Sequence, residues 1–456
     1  MSPEEKEKLQ KISSSIEHSL DHATTQCAKL ADCIRSGVDF HHAGLVNEQR
    51  KKVEAAFKEG TIKIITCTPT LAAGLNLPAY RVIVRDLKRF GLGGMDYLPV
   101  LEIRQMLGRA GRPKYDTEGE GILLPKSEAE ARFAWDTYIT GKTEEISSKL
   151  GAEPALRTHI LGLVASGLAS TREELMGFFA KTFYAHKYGN LAGIEMIIDK
   201  ILQQLRAFGF VEVIGDVPEG NPFRKASSLR ALGLQPTPIG KRVAELYVDP
   251  LTAHKLIQCF TRASKPAELP LLQAVADTIE MRPLMSVKKA DTEDINQLLA
   301  EEGKNLLSDT PNEWDSEYED FLRSLKTARV IQGWIAEVGE DKLLEKYGVT
   351  PGELRMRLDV TDWLLYSSQE LAFLLKKMEL QKELRKLRLR VRYGIKEELL
   401  PLIRLKGVGR VRARKMWSAN IRSLADVKKA PLPALARLIG DKVAEDVKRQ
   451  LGEEII

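Results

Sequence analysis

The stretch at 105–113, Gln-Met-Leu-Gly-Arg-Ala-Gly-Arg-Pro, combines residue types and a spacing that suit phosphate recognition. In a helix, Gln105, Arg109 and Arg112 fall at i, i+4 and i+7 and therefore share one face. Each guanidinium offers a planar fork of donors that matches phosphate oxygens. The spacing predicts a helical anion-binding face that ends at Gly111; a solvated basic helix face is the alternative.

Strand-like and helix-like patterns alternate around this stretch. Short apolar segments at 38–40, 62–67 and 81–85 are separated by segments with helical periodicity. Such alternation is typical of a parallel α/β sheet. Between 86 and 99, the Gly91-Leu-Gly-Gly94 cluster joins two extended segments and predicts a β-hairpin.

The most basic part of the chain lies at 382–415, where thirteen Lys or Arg residues accompany three Glu residues. Such a local excess of positive charge is a strong electrostatic footprint for a phosphate backbone, although a solvated basic helix would also fit its first third. Gly407-Val-Gly409 joins two predicted helices and exposes backbone N–H groups where anions are favoured. This pattern is typical of a helix-hairpin-helix, which binds DNA backbone without reading sequence. The predicted DNA-binding residues here are Lys406, Gly407, Gly409, Arg410 and Arg412.

A helix predicted at 321–338 carries one apolar stripe and a second face that includes Arg323 and Trp334. An exposed Trp near an Arg suits stacking on single-stranded bases, typically worth about 1–3 kcal/mol per base. A lone helical Trp more often belongs to the core, so burial is the competing interpretation.

The segment before that helix combines an amphipathic helix at 194–208 with two strand-like segments at 210–214 and 234–240. This order is typical of a winged helix, a fold that often places a helix in the DNA major groove. The helix carries only two basic residues. We therefore expect it to act as a rigid strut.

Composition is that of a soluble globular protein. Apolar residues make up 43% and charged residues 29% of the 456 residues, and no apolar run reaches the roughly 18 residues of a membrane helix. The N-terminal sequence has no signal-peptide pattern, and the four cysteines show no CxxC pairing that would indicate zinc or disulfides. We expect a cytoplasmic, nucleoid-associated protein with no metal site and no membrane partner.

Three segments resemble sequence motifs of superfamily-two helicases. His41-His-Ala-Gly-Leu45 is similar to their motif IV region, Thr66-Cys-Thr-Pro-Thr-Leu-Ala-Ala-Gly-Leu-Asn-Leu-Pro78 to motif V, and the stretch at 105–113 to motif VI. In this order they resemble the archaeal Hjm-type DNA helicases, relatives of the Ski-like RNA helicases and the metazoan HELQ helicases. The resemblance continues through the C-terminal residues and covers nearly the whole chain.

This resemblance implies an α/β RecA-like lobe, incomplete at its N-terminus, followed by mostly α domains: winged helix, helical ratchet bundle and helix-hairpin-helix. The expected boundaries are 1–148 for the second RecA-like lobe, 149–249 for the winged helix, 250–395 for the ratchet domain and 396–456 for the helix-loop-helix or helix-hairpin-helix domain. No segment matches the P-loop Gly-x-x-x-x-Gly-Lys-Ser/Thr that cradles nucleotide phosphates. We therefore expect the first RecA-like lobe to lie outside this sequence; an expressed fragment, a truncated reading frame and a split protein would each account for that.

The resemblance also implies roles for individual residues. Gln105, Arg109 and Arg112 would approach the γ-phosphate of ATP, with both arginines acting on transition-state charge. In motif V, the residues nearer the nucleotide would be Gly74 and Asn76. The residues placed against DNA are His42, Thr68 and Thr70 in motifs IV and V, Phe90 and Tyr97 in a strand-separating hairpin, and Arg323 and Trp334 in the ratchet helix. For the hairpin, an ordinary surface hairpin is the alternative.

We expect the chain to form the C-terminal part of an ATP-dependent 3′-to-5′ DNA helicase that acts on forked or branched DNA in repair and replication restart. ATP and Mg²⁺ would serve the complete enzyme. The partners would be single-stranded and forked DNA, the missing first lobe, and replication or repair proteins. Without the P-loop, this chain should bind DNA and not hydrolyse ATP. The competing function is a non-enzymatic module that recognises forks or junctions by backbone charge.

Overall fold

The structure is a computed structural model in which the chain forms two compact units, Met1–Ile146 and Ser147–Ile456. The expected boundaries at 249 and 395, inside the second unit, remain predictions. Among the described helices, none is long and apolar enough to cross a membrane. The described residues are 2–17, 25–42, 44–69, 77, 79–91, 94–111, 116–189, 192–214, 233–262 and 267–452.

The first unit alternates helices and strands. Its helices are Pro3–Glu17 (α1), Thr25–Arg35 (α2), Asn47–Lys58 (α3), Val100–Leu107 (α4) and Glu128–Ala134 (α5), with a π-helical turn at Trp135–Ile139. Its strands are Val38–His41 (β1), Ile64–Cys67 (β2), Arg81–Val84 (β3), Lys88–Gly91 (β4), Gly94–Tyr97 (β5) and Glu120–Leu123 (β6).

The predicted parallel pairing is present in two places, where β1 pairs with β2 and β3 pairs with β6. Within the described residues these pairs form separate two-stranded ladders rather than one sheet. The apolar segment at 62–67 forms β2 but is only partly buried, since Ile64 is 62% exposed. The predicted hairpin is formed by β4 and β5, which pair in antiparallel fashion with Lys88 opposite Tyr97.

The helix predicted through 105–112 ends early, so its predicted extent is wrong; Arg112, the third residue of the predicted face, lies outside the described residues. α4 stops at Leu107. The N–H of Gly111 donates to the Ala79 carbonyl at 2.7 Å, and the Ala79 N–H donates to the Arg109 carbonyl at 3.0 Å. Gly111 has a φ of +87°, a conformation that a right-handed helix does not use. Two glycines weaken the helix in this segment, while pairing with Ala79 satisfies the backbone groups that leave it.

The second unit is mostly helical. Its helices before the basic hairpin are Glu153–Ala165 (α6), Arg172–Phe179 (α7), Phe183–Tyr188 (α8), Ala192–Ala207 (α9), Pro238–Leu246 (α10), Pro250–Arg262 (α11), Glu268–Ala276 (α12), Thr292–Glu302 (α13), Tyr318–Ile335 (α14), Glu340–Tyr347 (α15), Pro351–Leu374 (α16) and Met378–Tyr393 (α17). The remaining helices are Arg410–Ser418 (α18), Leu424–Lys429 (α19), Leu432–Ile439 (α20) and Asp441–Gln450 (α21). Short 3₁₀ turns occur at Lys149–Gly151, Ile279–Met281, Lys289–Asp291, Gly303–Asn305, Glu397–Leu399 and Leu402–Arg404.

The two strands predicted before α10 are present, but the second is shorter than predicted. Val211–Ile214 (β7) pairs antiparallel with Gly233–Pro236 (β8). Thr237 then caps α10, because its side chain accepts the Gly240 N–H at 3.0 Å. A cap followed by Pro in the first helical turn starts a helix rather than extending a strand. The described residues of 250–395 contain no strand, as predicted.

α14 packs against α12 and α17 within the apolar core of the second unit. The predicted apolar stripe is buried over its helical length, at Phe321, Leu325, Ala328, Ile331 and Ile335. The second face of α14 is also buried in part, since Thr327 and Val330 are fully buried. The prediction that Arg323 and Trp334 share an exposed face is therefore wrong, because neighbours cover α14 on more than one side.

Candidate nucleic-acid interface

The helix that carries Gln105 is held in place by two contacts that the sequence did not indicate. Glu144 accepts the backbone N–H of Val100 at the start of α4, which also holds the pKa of Glu144 below its ordinary value. A carboxylate at a helix N-terminus is stabilised by the orphan N–H groups there. Farther along α4, the Arg104 guanidinium donates to the Tyr138 carbonyl at 3.3 Å.

The described part of the predicted nucleotide site is small. Gln105 is exposed in the last turn of α4, and Arg109 is half-buried in the turn that follows. Thr68 is exposed directly after β2, and its N–H donates to the His41 carbonyl at 3.2 Å. Gln105 therefore lies within α4, whereas Arg109 lies two residues beyond its end, in a turn where its N–H donates to the Met106 carbonyl at 3.1 Å. Four predicted site residues lie outside the described residues: Thr70, Gly74, Asn76 and Arg112.

The paired histidines of the motif IV segment are engaged within the first unit. His41 is buried, and its Nε2 lies 2.9 Å from Glu54 Oε1. His42 is half-buried; its Nδ1 accepts the Gly44 N–H at 3.1 Å, and its Nε2 lies 3.2 Å from the Gln26 side-chain amide. Burial, followed by the neighbouring His41, lowers the pKa of His42. His42 is therefore a neutral group at neutral pH and would offer hydrogen bonds rather than charge.

Tyr97 lies at the base of the β4–β5 hairpin rather than at its tip. Its ring centroid is 4.0 Å from that of Phe133, and Lys88 Nζ lies 4.3 Å from the same ring. This packing gives Tyr97 a supporting position under the hairpin. The Phe90 side chain and residues 92–93 lie outside the described residues.

Trp334, predicted to be exposed, is half-buried near the end of α14. Its indole Nε1 donates to the Val391 carbonyl at 2.8 Å. The Arg410 guanidinium carbon lies 4.8 Å from the ring centroid, a cation–π arrangement. The backbone of Gly394 approaches the ring so closely that a Cβ at this position would lie 2.5 Å from Trp334 Cε2. The structure thus brings together Trp334 and Arg410, two predicted DNA-binding residues.

Arg323, the other predicted residue of α14, is paired within its own helix. Its guanidinium lies against the carboxylates of Glu319 and Asp320. Eleven residues of helix, about 16 Å at 1.5 Å per residue, separate it from Trp334. The two residues therefore do not form one stacking site.

Glu337 joins the end of α14 to the C-terminal helices, and nothing in the sequence pattern indicated it. Its φ of 67° turns the chain after α14, and its carboxylate accepts two hydrogen bonds from Arg414 at 2.7 and 2.6 Å. The Lys396 N–H donates to the same carboxylate at 3.0 Å. Burial would raise the pKa of Glu337, but Arg414 and the Lys396 N–H hold it below its ordinary value.

We expect Glu337→Gln to lower the free energy of unfolding of the second unit by about 1–3 kcal/mol, because a bidentate, charge-assisted pair is lost in a half-buried setting. Urea unfolding monitored by circular dichroism measures this change. The matched control is Glu398→Gln, which removes the other carboxylate on Arg414, 3.0 Å away, but leaves the bidentate pair. Equal losses in both variants would contradict the special role of Glu337.

The predicted helix-hairpin-helix is present, with 3₁₀ turns in place of its first helix. Gly407 has a φ of +85°, and Gly409 is the N-cap of α18. Lys406 is exposed, and its backbone N–H donates to Gln450 Oε1 at 2.8 Å. Lys406 thus lies exposed three residues before the N-cap of α18, and the start of a helix is a place where an anion such as phosphate is favoured.

Arg412, also predicted to contact DNA, is half-buried and supports the hairpins. Its guanidinium donates to the Ile439 carbonyl at 3.1 Å and to the Gly407 carbonyl at 3.0 Å. Ile439 ends α20, and Gly440, with a φ of +90°, joins α20 to α21. Sequence reasoning missed this second hairpin, although the Ile-Gly-Asp junction at 439–441 could have indicated it.

Three family models match the chain in the order of its elements. Residues 7–114 match the helicase conserved C-terminal domain, residues 269–394 match domain 4 of archaeal helicases, and residues 399–453 match a SAM-like helix-hairpin-helix tandem. The tandem corresponds to the two hairpins described above. Five of the curated proteins that the chain resembles are of one kind. They are archaeal Hel308 DNA helicases.

The similarity to Hel308 extends along nearly the whole chain. The ATP-dependent DNA helicase Hel308 of Methanococcus vannielii is 38% identical over 97% of this chain and 61% of its own length. The Methanocella arvoryzae protein is 39% identical over 100% and 60%, and the Pyrococcus abyssi protein is 38% identical over 94% and 58%. The chain thus spans about three-fifths of the length of the Hel308 proteins it matches. The homology agrees with the predicted resemblance to archaeal superfamily-two DNA helicases.

Proposed function

We propose that the chain is the DNA-binding part of an ATP-dependent 3′-to-5′ DNA helicase that acts on forked or branched DNA in repair and replication restart. The observation that carries this proposal is the similarity to Hel308 helicases over 94–100% of the chain. The exposed apex of the first helix-hairpin-helix and the basic segment around it supply the chemistry for binding a phosphate backbone. Replication or repair proteins in a nucleoid-associated cytoplasmic setting would be its partners.

We propose that the first unit contributes half of a site for ATP and Mg²⁺. Its carboxamide and guanidinium donors, Gln105, Arg109 and Arg112, suit phosphate oxygens, and Gly74 and Asn76 would lie nearer the nucleotide. ATP with Mg²⁺ would supply the phosphoryl chemistry, while these side chains would position and neutralise the γ-phosphate. The phosphate-cradling loop would come from a separate lobe, because this sequence contains no P-loop.

An ATPase assay tests this division. We expect no DNA-stimulated turnover by the 456-residue chain alone, and turnover when a P-loop lobe is supplied. Turnover by the chain alone would contradict the half-site. No turnover after the lobe is added would favour the alternative, a non-enzymatic module that recognises forks or junctions by backbone charge.

Several elements are proposed to guide the DNA strand. We propose that Trp334 and Arg410 act together, because a guanidinium stacked on an indole presents its donors in the plane of the group. One Arg410 nitrogen already donates to the Val338 carbonyl at 3.1 Å, so a phosphate would bind the other guanidinium donors. The winged-helix-like part would act as a strut, and the β4–β5 hairpin would hold the fork. The remaining proposed DNA contacts are His42, Thr68, Thr70, Phe90, Tyr97, Arg323, Gly407, Gly409 and Arg412.

The hairpin apex gives the direct test of DNA binding. Arg404→Glu with Lys406→Glu reverses two exposed charges there, and we expect the affinity for forked DNA to fall at least tenfold and the salt dependence to lose about two units of slope. The control, Lys428→Glu with Lys429→Glu, changes the charge equally at two exposed positions of α19 in the same domain. Fluorescence anisotropy over a range of salt concentrations measures both, and equal behaviour of the two variants would contradict the proposed apex.

A further inference from the structure

A groove lies between α16 and α17, and its arginines belong to the first part of the basic segment at 382–415. Its volume is about 300 Å³. The lining residues are Asp362, Gln369, Arg385, Arg388, Leu389 and Arg392. Three of these six side chains are guanidiniums, and all three belong to one helix.

The spacing of the three arginines on α17 explains why they meet in the groove. Arg385, Arg388 and Arg392 stand at i, i+3 and i+7, positions that share one side of a helix. The neighbouring side of α17 is buried in the core, at Leu384, Leu387 and Val391. The apolar side therefore fixes the rotation of the helix and sets the arginine side against α16.

Arg388 is held in the wall of the groove by contacts with α16. Its guanidinium makes a bidentate pair with Asp362, with both distances 3.0 Å, and its central carbon lies 4.7 Å from the Tyr366 ring centroid. The one carboxylate of the groove is thus neutralised by Arg388. Two further positive charges remain, on Arg385 and Arg392.

Arg385 and Arg392 are exposed, and neither has an ion-pair or hydrogen-bond partner among the described residues. Other cations of α17 differ in this respect. Lys382 is paired with Glu379 at 2.8 Å, and Lys386 lies 2.8 Å from Glu383 and 3.1 Å from a second Glu. The contrast within one helix shows that acidic partners surround its other cations and not the two in the groove.

We propose that this groove binds the phosphodiester backbone of a DNA strand through Arg385 and Arg392, as a site additional to the hairpin apex. Seven helical residues span about 10 Å, a length that covers two or three successive phosphates of a strand at 3.4 Å per phosphate along the duplex. The guanidinium fork matches phosphate oxygens, and Leu389 offers no hydrogen bond to a base. The contacts proposed for the two arginines are therefore with the phosphates of the strand. This site rests on the proposed DNA-binding function and extends it to a second surface.

The test compares two double variants of α17 that change the charge equally. Arg385→Gln with Arg392→Gln removes the two unpaired cations, and Lys382→Gln with Lys386→Gln removes two paired ones. Fluorescence anisotropy with a single strand, a duplex and a fork, each across a salt series, measures affinity and salt slope. For the arginine variant we expect affinity to fall at least tenfold and the slope to drop by about 1.4 for a single strand or about 1.8 for a duplex, at 0.7 or 0.9 per phosphate contact.

The control variant should leave both the affinity and the slope nearly unchanged, and Arg385→Lys with Arg392→Lys should keep the slope because it keeps the charge. A loss confined to the single strand or to the duplex identifies which form of DNA supplies the backbone. Equal losses in the arginine and lysine variants, or no loss in either, would overturn the groove site. Thermal unfolding of each variant excludes a folding defect as the cause.

The failure of this site can be told apart from the failure of the proposed function. If the hairpin-apex variant loses DNA binding while the groove variant binds like wild type, the groove site is wrong and the DNA-binding function stands. If the wild-type chain does not bind any of the three DNA forms, both proposals are wrong.

Discussion

Replacing Gly394 by alanine is expected to lower the free energy of unfolding of the second unit by about 2–4 kcal/mol. Two effects combine at this residue. Its φ is +65°, where an L-residue is strained. The new Cβ would also lie 2.5 Å from Trp334 Cε2 and 2.6 Å from Cζ2, and the indole cannot retreat without breaking its hydrogen bond to the Val391 carbonyl. Overpacking of this kind typically costs about 1–3 kcal/mol beyond backbone strain.

A matched control separates the two effects. Gly189 ends α8 with the same φ of +65°, but a Cβ there would have no neighbour within 4 Å. Gly189→Ala should therefore show only the backbone cost, about 1 kcal/mol. Urea unfolding of both variants measures the difference. If Gly394→Ala costs no more than Gly189→Ala, the close approach to Trp334 is not a determinant of stability.

Gly394 also shows how far sequence reasoning could go in this region. A glycine after a basic helix is a recognisable C-terminal signal, so the end of α17 could be predicted. The contact with Trp334 joins positions 60 residues apart in the chain, and no local pattern encodes it. For the same reason, the periodicity of α14 predicted its first buried stripe but not the burial of Thr327 and Val330, which depends on what packs against the other sides.

The predicted nucleotide-binding helix failed for a related reason. The helical spacing at 105–112 can be recognised from the sequence alone. The backbone conformation after Leu107 instead depends on hydrogen bonds with Ala79, which lies about 30 residues earlier. Gly111 permits the conformation that this pairing needs. The residue types were nevertheless informative, because donors suited to phosphate do not depend on the secondary structure that carries them.

The basic residues of the C-terminal hairpins divide into two groups that composition could not separate. Lys406 is exposed at the apex, whereas the guanidiniums of Arg412 and Arg414 donate hydrogen bonds to protein carbonyls and carboxylates. A basic run predicts a phosphate-binding surface as a whole. Which cations remain available is set by acidic and carbonyl partners from other parts of the chain, so Glu337 is as important to the interface as Arg414, the arginine it binds.

Asp39 provides the second large expected effect, a dependence of stability on pH. Its side chain is buried in β1, where Oδ1 accepts the Phe40 N–H at 2.8 Å and Oδ2 has no partner among the described residues. Burial raises the pKa of Asp39 to about 7, from an ordinary 3.8, although the Phe40 hydrogen bond opposes this. Of the nearby groups, the Cys33 thiol also has a raised pKa, caused by burial and then by Asp39.

The sign of the effect follows from proton binding. Between about pH 4 and 7 the folded chain holds a proton on Asp39 that the unfolded chain has lost, so the stability that this proton provides is complete below pH 4 and lost as pH rises to 7. At about 1.4 kcal/mol per pKa unit, the loss amounts to roughly 2–4 kcal/mol across this range. Asp39→Asn, which cannot ionise, should remove that slope and make the first unit more stable than wild type above pH 7.

Urea unfolding at a series of pH values, monitored by hydrogen exchange in peptides that span 38–41, measures the effect where it arises. The control is Asp136→Asn, an exposed carboxylate in the same unit, which should leave the wild-type slope in place. A variant at position 39 that keeps the wild-type slope would mean that Asp39 is ionised in the folded chain. The Asp39 Oδ2 atom would then need a hydrogen bond from solvent or from residues outside the described part of the chain. In that case the Asp39 side chain would be more exposed than the 4% seen in the structure.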